Sequence, residues 1–242
     1  MKIITAKDYC ELSLLAAQKT ADYINANPGS LICFPAGDTP LGMYAELVAM
    51  QKRGEVDLMS VWYAQLDEWV GLGPGDTGSC IRVMADAFFV PACISRTRVK
   101  LFNGLDPDLE RQCREMEDWL ASHGGIGYAV LGVGMNGHIG FNEPGTPDTE
   151  GCIIVKLDDT TKTVSKKYFG KEMPVTTGLT IGWRTLLDAR SVVFMAGGAT
   201  KAPIIKDALE GPVTTRLPAS LFQNHRDITV MLDKDAASLL RG

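Results

Sequence analysis

The sequence predicts an α/β fold: a mostly parallel sheet with helices on both faces, in a Rossmann-like three-layer architecture. Three observations predict it. Short, nearly continuous apolar runs recur along the 242 residues, as expected of strands buried on both faces. Amphipathic or charged helical stretches separate those runs, as parallel pairing requires. Several runs end in a glycine-bearing turn followed by polar residues, which is how a ligand site forms at the carboxyl ends of strands.

In chain order, an amphipathic helix is expected near 7–26, then a strand over 31–35 and a helix from 40 to about 52. A strand over 60–66 follows, and the loop GLGPGDTGS (71–79) precedes a helix over about 80–88. A short strand at 98–102 leads to a charged amphipathic helix over 107–122. Strands follow at 127–133 and near 178–182, 191–196 and 227–232, with helices after the last two. The length suits a single domain, 1–242. Residues 146–173 differ from the rest: they are polar, rich in Thr and Lys, and carry one short apolar run. Beside the main motif this stretch reads as a lid, and composition alone does not separate a lid from a plain surface excursion.

Composition bounds the function. An apolar content of 45% is ample for a core, and a net charge of -5 with no basic stretch argues against nucleic acid as a partner. The six cysteines are scattered without a CxxC pair, as in a reduced, cytoplasmic protein. No signal peptide is expected, and no apolar run approaches the roughly 20 residues of a membrane span. The three histidines lack metal-ligand spacing, so no metal is expected. His123 falls at a helix end, and His225 reads as structural.

Three constellations carry chemistry. The first, LGVGMNGHIGFNEPG (131–145), ends a strand in a glycine turn and gathers Asn136, His138, Asn142 and Glu143. Histidine titrates near neutral pH without help, and a carboxylate five residues on can orient it. On this local chemistry a solvated loop histidine is an equal alternative. The second, VWYAQLDEWVG (61–71), places Asp67 and Glu68 at a strand end. Adjacent side chains of an extended chain point opposite ways, so one acid can face a pocket and the other its support. Like charges so close push one pKa upward, which suits a carboxylate that takes and returns a proton. Solvated loop acids are the commoner fate of such a pair.

The third is a pair of strand–glycine–helix turns suited to an anion. In LICFPAGDTPLGMYA (31–45), Thr39 is placed to cap and Pro40 to begin a helix. In SVVFMAGGATKA (191–202), Thr200 is placed to cap and Lys201 stands in the first turn, against the dipole preference. A lysine there makes sense if it meets an anion. Ordinary βα turns are the alternative.

With PAGDTPLGMY, LDEWVG, LGVGMNGHIGFNEPG, LTIGWRTLLDA, GGATKA and LPASLFQNH in order, the chain resembles the glucosamine-6-phosphate deaminase/isomerase family almost end to end, galactosamine-6-phosphate members included. The resemblance implies conversion of an amino-sugar 6-phosphate to the ketose 6-phosphate, an isomerisation joined to hydrolytic loss of ammonia. It implies a small-molecule substrate, no cofactor and no membrane, and leaves a homo-oligomer open, because the family includes monomers and hexamers. By position, Asp67 matches the base that shuttles a proton between C2 and C1, and Glu68 the acid that supports it. His138 matches the ring-opening histidine and Glu143 its partner. Gly37, Asp38 and Thr39 fall on the phosphate loop, and Lys201 on the phosphate-binding lysine. Lys167 stands where many members carry a phosphate-binding arginine.

Three positions depart from the usual pattern. Asn136 stands in the ring-opening set where some members have Asp and others Asn. Asp38 replaces a small residue, so its side chain is expected to turn from the phosphate and leave binding to the backbone N–H. Lys167 trades a bidentate fork for a point charge. No allosteric site is expected, since the chain ends soon after its final strand. Two rivals remain: a 6-phosphogluconolactonase-type hydrolase on the same scaffold, and a non-catalytic sugar-phosphate sensor. The sequence does not tell glucosamine from galactosamine 6-phosphate.

Overall fold

The computed structural model describes residues 1–147, 151–169 and 175–241. Its centre is a seven-stranded, wholly parallel sheet in the order β1 (Lys2–Ala6), β10 (Ile228–Asp233), β9 (Ser191–Ala196), β6 (Tyr128–Gly132), β2 (Leu31–Phe34), β3 (Trp62–Gln65), β5 (Val99–Lys100). The inner strands β2 and β9 are buried at every position and almost wholly apolar, because both faces are covered. Alternate residues divide between two cores. Ile32, Phe34, Tyr128, Val130 and Met195 meet α1 (Tyr9–Ala26) and α2 (Leu41–Lys52). Leu31, Cys33, Ala129, Leu131 and Phe194 meet α4 (Leu109–Ser122) and α7 (Ala202–Glu210) on the other side. Two cores on two faces of one sheet make the three layers expected from the sequence.

A second, antiparallel sheet was not foreseen. It pairs β4 (Asp67–Trp69) with β8 (Thr177–Ile181) and β8 with β7 (Cys152–Lys156). The run expected as one strand over 60–66 ends at Gln65, and after Leu66 the chain joins this other sheet, taking Asp67 and Glu68 with it. A cluster of Trp69, Phe141, Leu157 and Phe169 knits the small sheet to α5 (Asp159–Phe169). The Trp69 and Phe141 rings lie 4.4 Å apart.

Other expectations need correction. β1 was missed because it is an edge strand, exposed along most of its length, with too weak an alternation to read. The helix near 80–88 is α3 (Cys80–Met84) running into one π turn, Ala85–Phe89. After β10 there are only turns, not a helix. The segment expected as a lid holds β7 and α5, while 148–150 and 170–173 within it lie outside the described residues. The short α6 (Trp183–Leu187) completes the helices named here.

β2 leads through β3 to β5 in one direction along the sheet, while β6 leads through β9 to β10 in the other. The order therefore reverses between β2 and β6, and a crevice opens beyond their carboxyl ends.

Candidate active site

That crevice holds a cleft of about 370 Å³, at the small end of ligand sites. It is lined by the loops after β2, β6 and β9, by the bend into β4, and by one face of α5. Of the residues singled out from the sequence, Gly37, Asp38, Thr39, Asp67, Asn136, His138, Lys167 and Lys201 line it, whereas Glu68 and Glu143 lie one layer behind.

The two acids of β4 part as alternation requires. Asp67 turns to the cleft and is 8% exposed, while Glu68 is 0% exposed. Glu68 accepts N–H groups of Trp69 and Cys80 on Oε1 (2.9 and 2.8 Å), and of Ile81 and the Gln65 amide on Oε2 (2.7 and 3.2 Å). Two of these donors begin α3, so the carboxylate sits on a helix N-terminus. Burial pushes the Glu68 carboxyl up, and these bonds oppose it. Burial prevails, so the carboxyl stays above its ordinary value, while the four donors aimed at its oxygens favour the ionised form. Asp67 answers to that charge: burial, then the Glu68 anion, push it up to about 7.

The loop after β6 builds the second acid/base pair. His138 Nδ1 lies 3.2 Å from Glu143 Oε2 and 3.0 Å from Thr161 Oγ1. The Asn136 amide donates to Glu143 Oε2 at 2.8 Å, and its oxygen accepts the His138 N–H at 3.3 Å. Glu143 Oε1 takes the N–H of Asp158 at 3.3 Å. Burial raises the Glu143 carboxyl, but the hydrogen bond and charge of His138, with Thr161 and Asn136, outweigh it and hold the group below its ordinary value. Position 134 must be glycine, because a Cβ there would lie 2.2 Å from His138 Cδ2.

The far end of the cleft is suited to an anion. Gly37 takes φ 106°, and the N–H groups of Gly37, Asp38 and Thr39 have no acceptor among the described residues. The Tyr9 hydroxyl steadies this turn, bonding the Asp38 and Thr39 carbonyls and accepting the Gly42 N–H. In the second turn the Gly198 N–H is fixed by Asp233. The expected caps fail here: Pro40 and Gly198 hold the cap positions without a side-chain bond, so Thr39 and Thr200 do not cap. Lys201 Nζ reaches the Val133 carbonyl at 2.6 Å, and burial, then Lys167, lower its ammonium to about 8. Lys167 pairs with Asp38 at 2.7 Å, both side chains more than half exposed. The Asp38 carboxylate is thus engaged by α5.

Sequence reasoning overlooked Thr161, Val164 and Tyr168 of α5, together with Tyr9 and Asp233. The signal in α5 was Thr161, Ser165 and Phe169 at a four-residue spacing, all buried. Polar residues on a buried face hide the periodicity. His123 caps α4 and His225 is buried against the Ala189 carbonyl, both as expected. Among the described residues, no cluster of three or more His, Cys, Asp or Glu side chains could hold a metal ion, and no helix is long and apolar enough to cross a membrane.

Known proteins resemble this chain in sequence and fold. The family described as glucosamine-6-phosphate isomerases/6-phosphogluconolactonase matches residues 9–231. A glucosamine-6-phosphate deaminase of Thermoanaerobacter sp. (strain X514) is 38% identical over 242 residues, covering 99% of this chain and 95% of its own. One from Halothermothrix orenii is 36% identical over 241 residues, covering 99% and 100%. The solved structure of a monomeric glucosamine-6-phosphate deaminase superposes with a TM-score of 0.95 at 34% identity, covering 99% of this chain and 100% of that one. A 6-phosphogluconolactonase from Trypanosoma brucei shares the fold at a TM-score of 0.78 and 20% identity, covering 99% and 98%. By its sequence from Tyr9 to Met231 and by its fold, the chain belongs to the glucosamine-6-phosphate isomerase/6-phosphogluconolactonase family.

Proposed function

We propose that this protein is an amino-sugar-6-phosphate deaminase that converts glucosamine 6-phosphate to the ketose 6-phosphate and ammonia by acid/base catalysis. The observation that carries the reading is Asp67, held near neutral pKa by burial and the Glu68 anion, facing one cleft with His138 and Lys201. Glucosamine is favoured over its C4 epimer because the relatives at 34–38% identity are named for it.

The phosphate sits among the amides of the Gly37–Thr39 turn, Lys201 and Lys167, which fixes the sugar far from its reacting carbons. His138 carries its proton on Nδ1, toward Glu143, and leaves Nε2 for the sugar. It takes the O1 proton and returns a proton to the ring oxygen, which opens the ring. Asn136 cannot accept that proton and serves to orient Glu143. Asp67 then removes the C2 proton while the substrate's ammonium gives a proton to O1, leaving a neutral enolamine, and Asp67 returns its proton to C1. The resulting C2 iminium takes up water and releases ammonia. A base near the working pH suits both halves of that transfer.

Six free cysteines fit a reducing compartment such as the cytoplasm, and a single 1–242 unit fits the monomeric relative, though a homo-oligomer is compatible with the same cleft. The test is ammonia release from glucosamine and galactosamine 6-phosphates, with lactone hydrolysis of 6-phosphogluconolactone measured alongside. Ammonia from the glucosamine substrate is the expected result. Lactone hydrolysis without ammonia would replace the reading with the lactonase one, and tight sugar-phosphate binding without turnover would replace it with a sensor.

A further inference from the structure

His138 Nδ1 lies within hydrogen-bond reach of two oxygens from different parts of the chain. Glu143 Oε2, on the same loop, is the more distant at 3.2 Å, and Thr161 Oγ1, on α5, is at 3.0 Å. Thr161 is 4% exposed and belongs to the helix face that also presents Val164 and Lys167 to the cleft. The residue just before α5 touches the pair again through the Asp158 N–H on Glu143 Oε1. Six residues beyond Thr161, about 9 Å along the helix axis, Lys167 meets Asp38 of the anion-binding turn. One helix therefore contacts both ends of the cleft.

We propose that Thr161 is a positioning residue: its hydroxyl, brought in by α5, holds the Nδ1–H tautomer of His138 and so keeps Nε2 free to take the proton in ring opening. A carboxylate held ionised by its neighbours only accepts hydrogen bonds, so the proton between His138 and Glu143 belongs on Nδ1. The Thr161 oxygen accepts a share of the same proton, and its own hydrogen is free for Glu143. Without the hydroxyl, Nδ1–H keeps a single, longer contact, and the alternative tautomer, with the proton facing the sugar, gains population. Because Lys167 lies on the same helix, seating α5 on an anion at one end sets the base at the other.

The rate effect rests on the deaminase reading, but the tautomer does not. The variants are Thr161→Val, which keeps the shape and loses the hydroxyl, Thr161→Ser, which restores it, and Thr163→Ala, on the exposed side of α5, as a control for loosening the helix. Expected is a loss of about tenfold in kcat for Thr161→Val, comparable to one neutral hydrogen bond, with KM little changed. Thr161→Ser stays within about threefold of wild type and Thr163→Ala is unchanged. Nitrogen-15 NMR of His138 in the unliganded protein shows Nδ1–H in the wild type and a mixture in Thr161→Val. The proposal is overturned by a wild-type kcat in Thr161→Val, by Thr161→Ser as slow as Thr161→Val, or by an unchanged tautomer. If the wild type releases no ammonia, the function fails while the NMR experiment still decides the positioning role.

Discussion

The two ends of the cleft are built on opposite principles. At the proton-moving end the three carboxylates are buried, and the two supporting ones have fixed partners: Glu68 in four N–H donors, Glu143 in His138, Asn136 and Asp158. At the anion-binding end the charges are looser, with an exposed Asp38–Lys167 pair and a partly buried Lys201 that, among the described residues, bonds only a carbonyl. Fixed dipoles suit chemistry, because no reorganisation is left to perform during reaction. Exchangeable pairs suit capture, because an arriving phosphate can take a lysine from a carboxylate at little cost.

The largest effect should come from the fixed end. Asp67→Asn is expected to lower kcat by roughly 10²–10⁴-fold while sugar phosphate still binds, measured by ammonia release and calorimetry. A near-wild-type kcat would remove Asp67 from the base role. The same variant should be more stable at pH 8. The folded protein raises Asp67 from 3.8 to about 7, so it disfavours the ionised form, and stability is lost as pH climbs through that window. Thermal melts at pH 8 and pH 4 should show a higher Tm for the variant at the first and none of that gain at the second.

Glu68→Gln tests whether the support is as rigid as it looks. Its amide would turn N–H groups against the donors that begin α3, at a cost of about 1–3 kcal/mol for polar groups left unpaired, or roughly 2–4 °C in Tm per kcal/mol. It also removes the charge that raises Asp67, so the acid limb of kcat/KM should move to lower pH. An unchanged limb would mean that burial alone sets Asp67.

The capture end should respond in KM. Lys201→Met is expected to raise KM by roughly 10–100-fold, the worth of a charged hydrogen bond, with kcat nearly constant. In the wild type, kcat/KM should fall above pH about 8 as Lys201 loses its charge in the free enzyme, and that limb should vanish in the variant. The smallest effect is expected at Asp38. Removing an exposed partner frees Lys167, so Asp38→Asn should lower KM by no more than about fivefold, within the worth of a surface pair. A KM that rises instead would show that the carboxylate helps to hold α5 over the substrate.

The same contrast governs what the sequence revealed. The inner strands were legible because both faces of each are apolar, and the glycine turns because they break those runs. β4 was hidden because it is three residues long and begins with two acids, Asp67 and Glu68, which read as the polar end of the preceding strand. The proton-moving residues were legible because buried acids and a histidine stand out in an apolar context. α5 was not, because the face it turns inward is Thr and Ser, and Thr161 carries no mark of its place beside His138 until the small sheet brings it there. The failed caps have a local cause: Pro40 takes a helical φ of -82° and ψ of -5°, occupying the position that Thr39 was expected to fill.

One feature of the large sheet bears on how the protein is made. Of the strands described, β1 leaves the ribosome first, yet among the described residues it pairs only with β10, more than two hundred residues later. At a synthesis rate of about 5–20 residues per second, Ile3 and Ile4 wait on the order of 10–40 s for a partner. Through that interval the nascent chain trails an unsatisfied hydrogen-bonding edge, open to chaperones or to other chains.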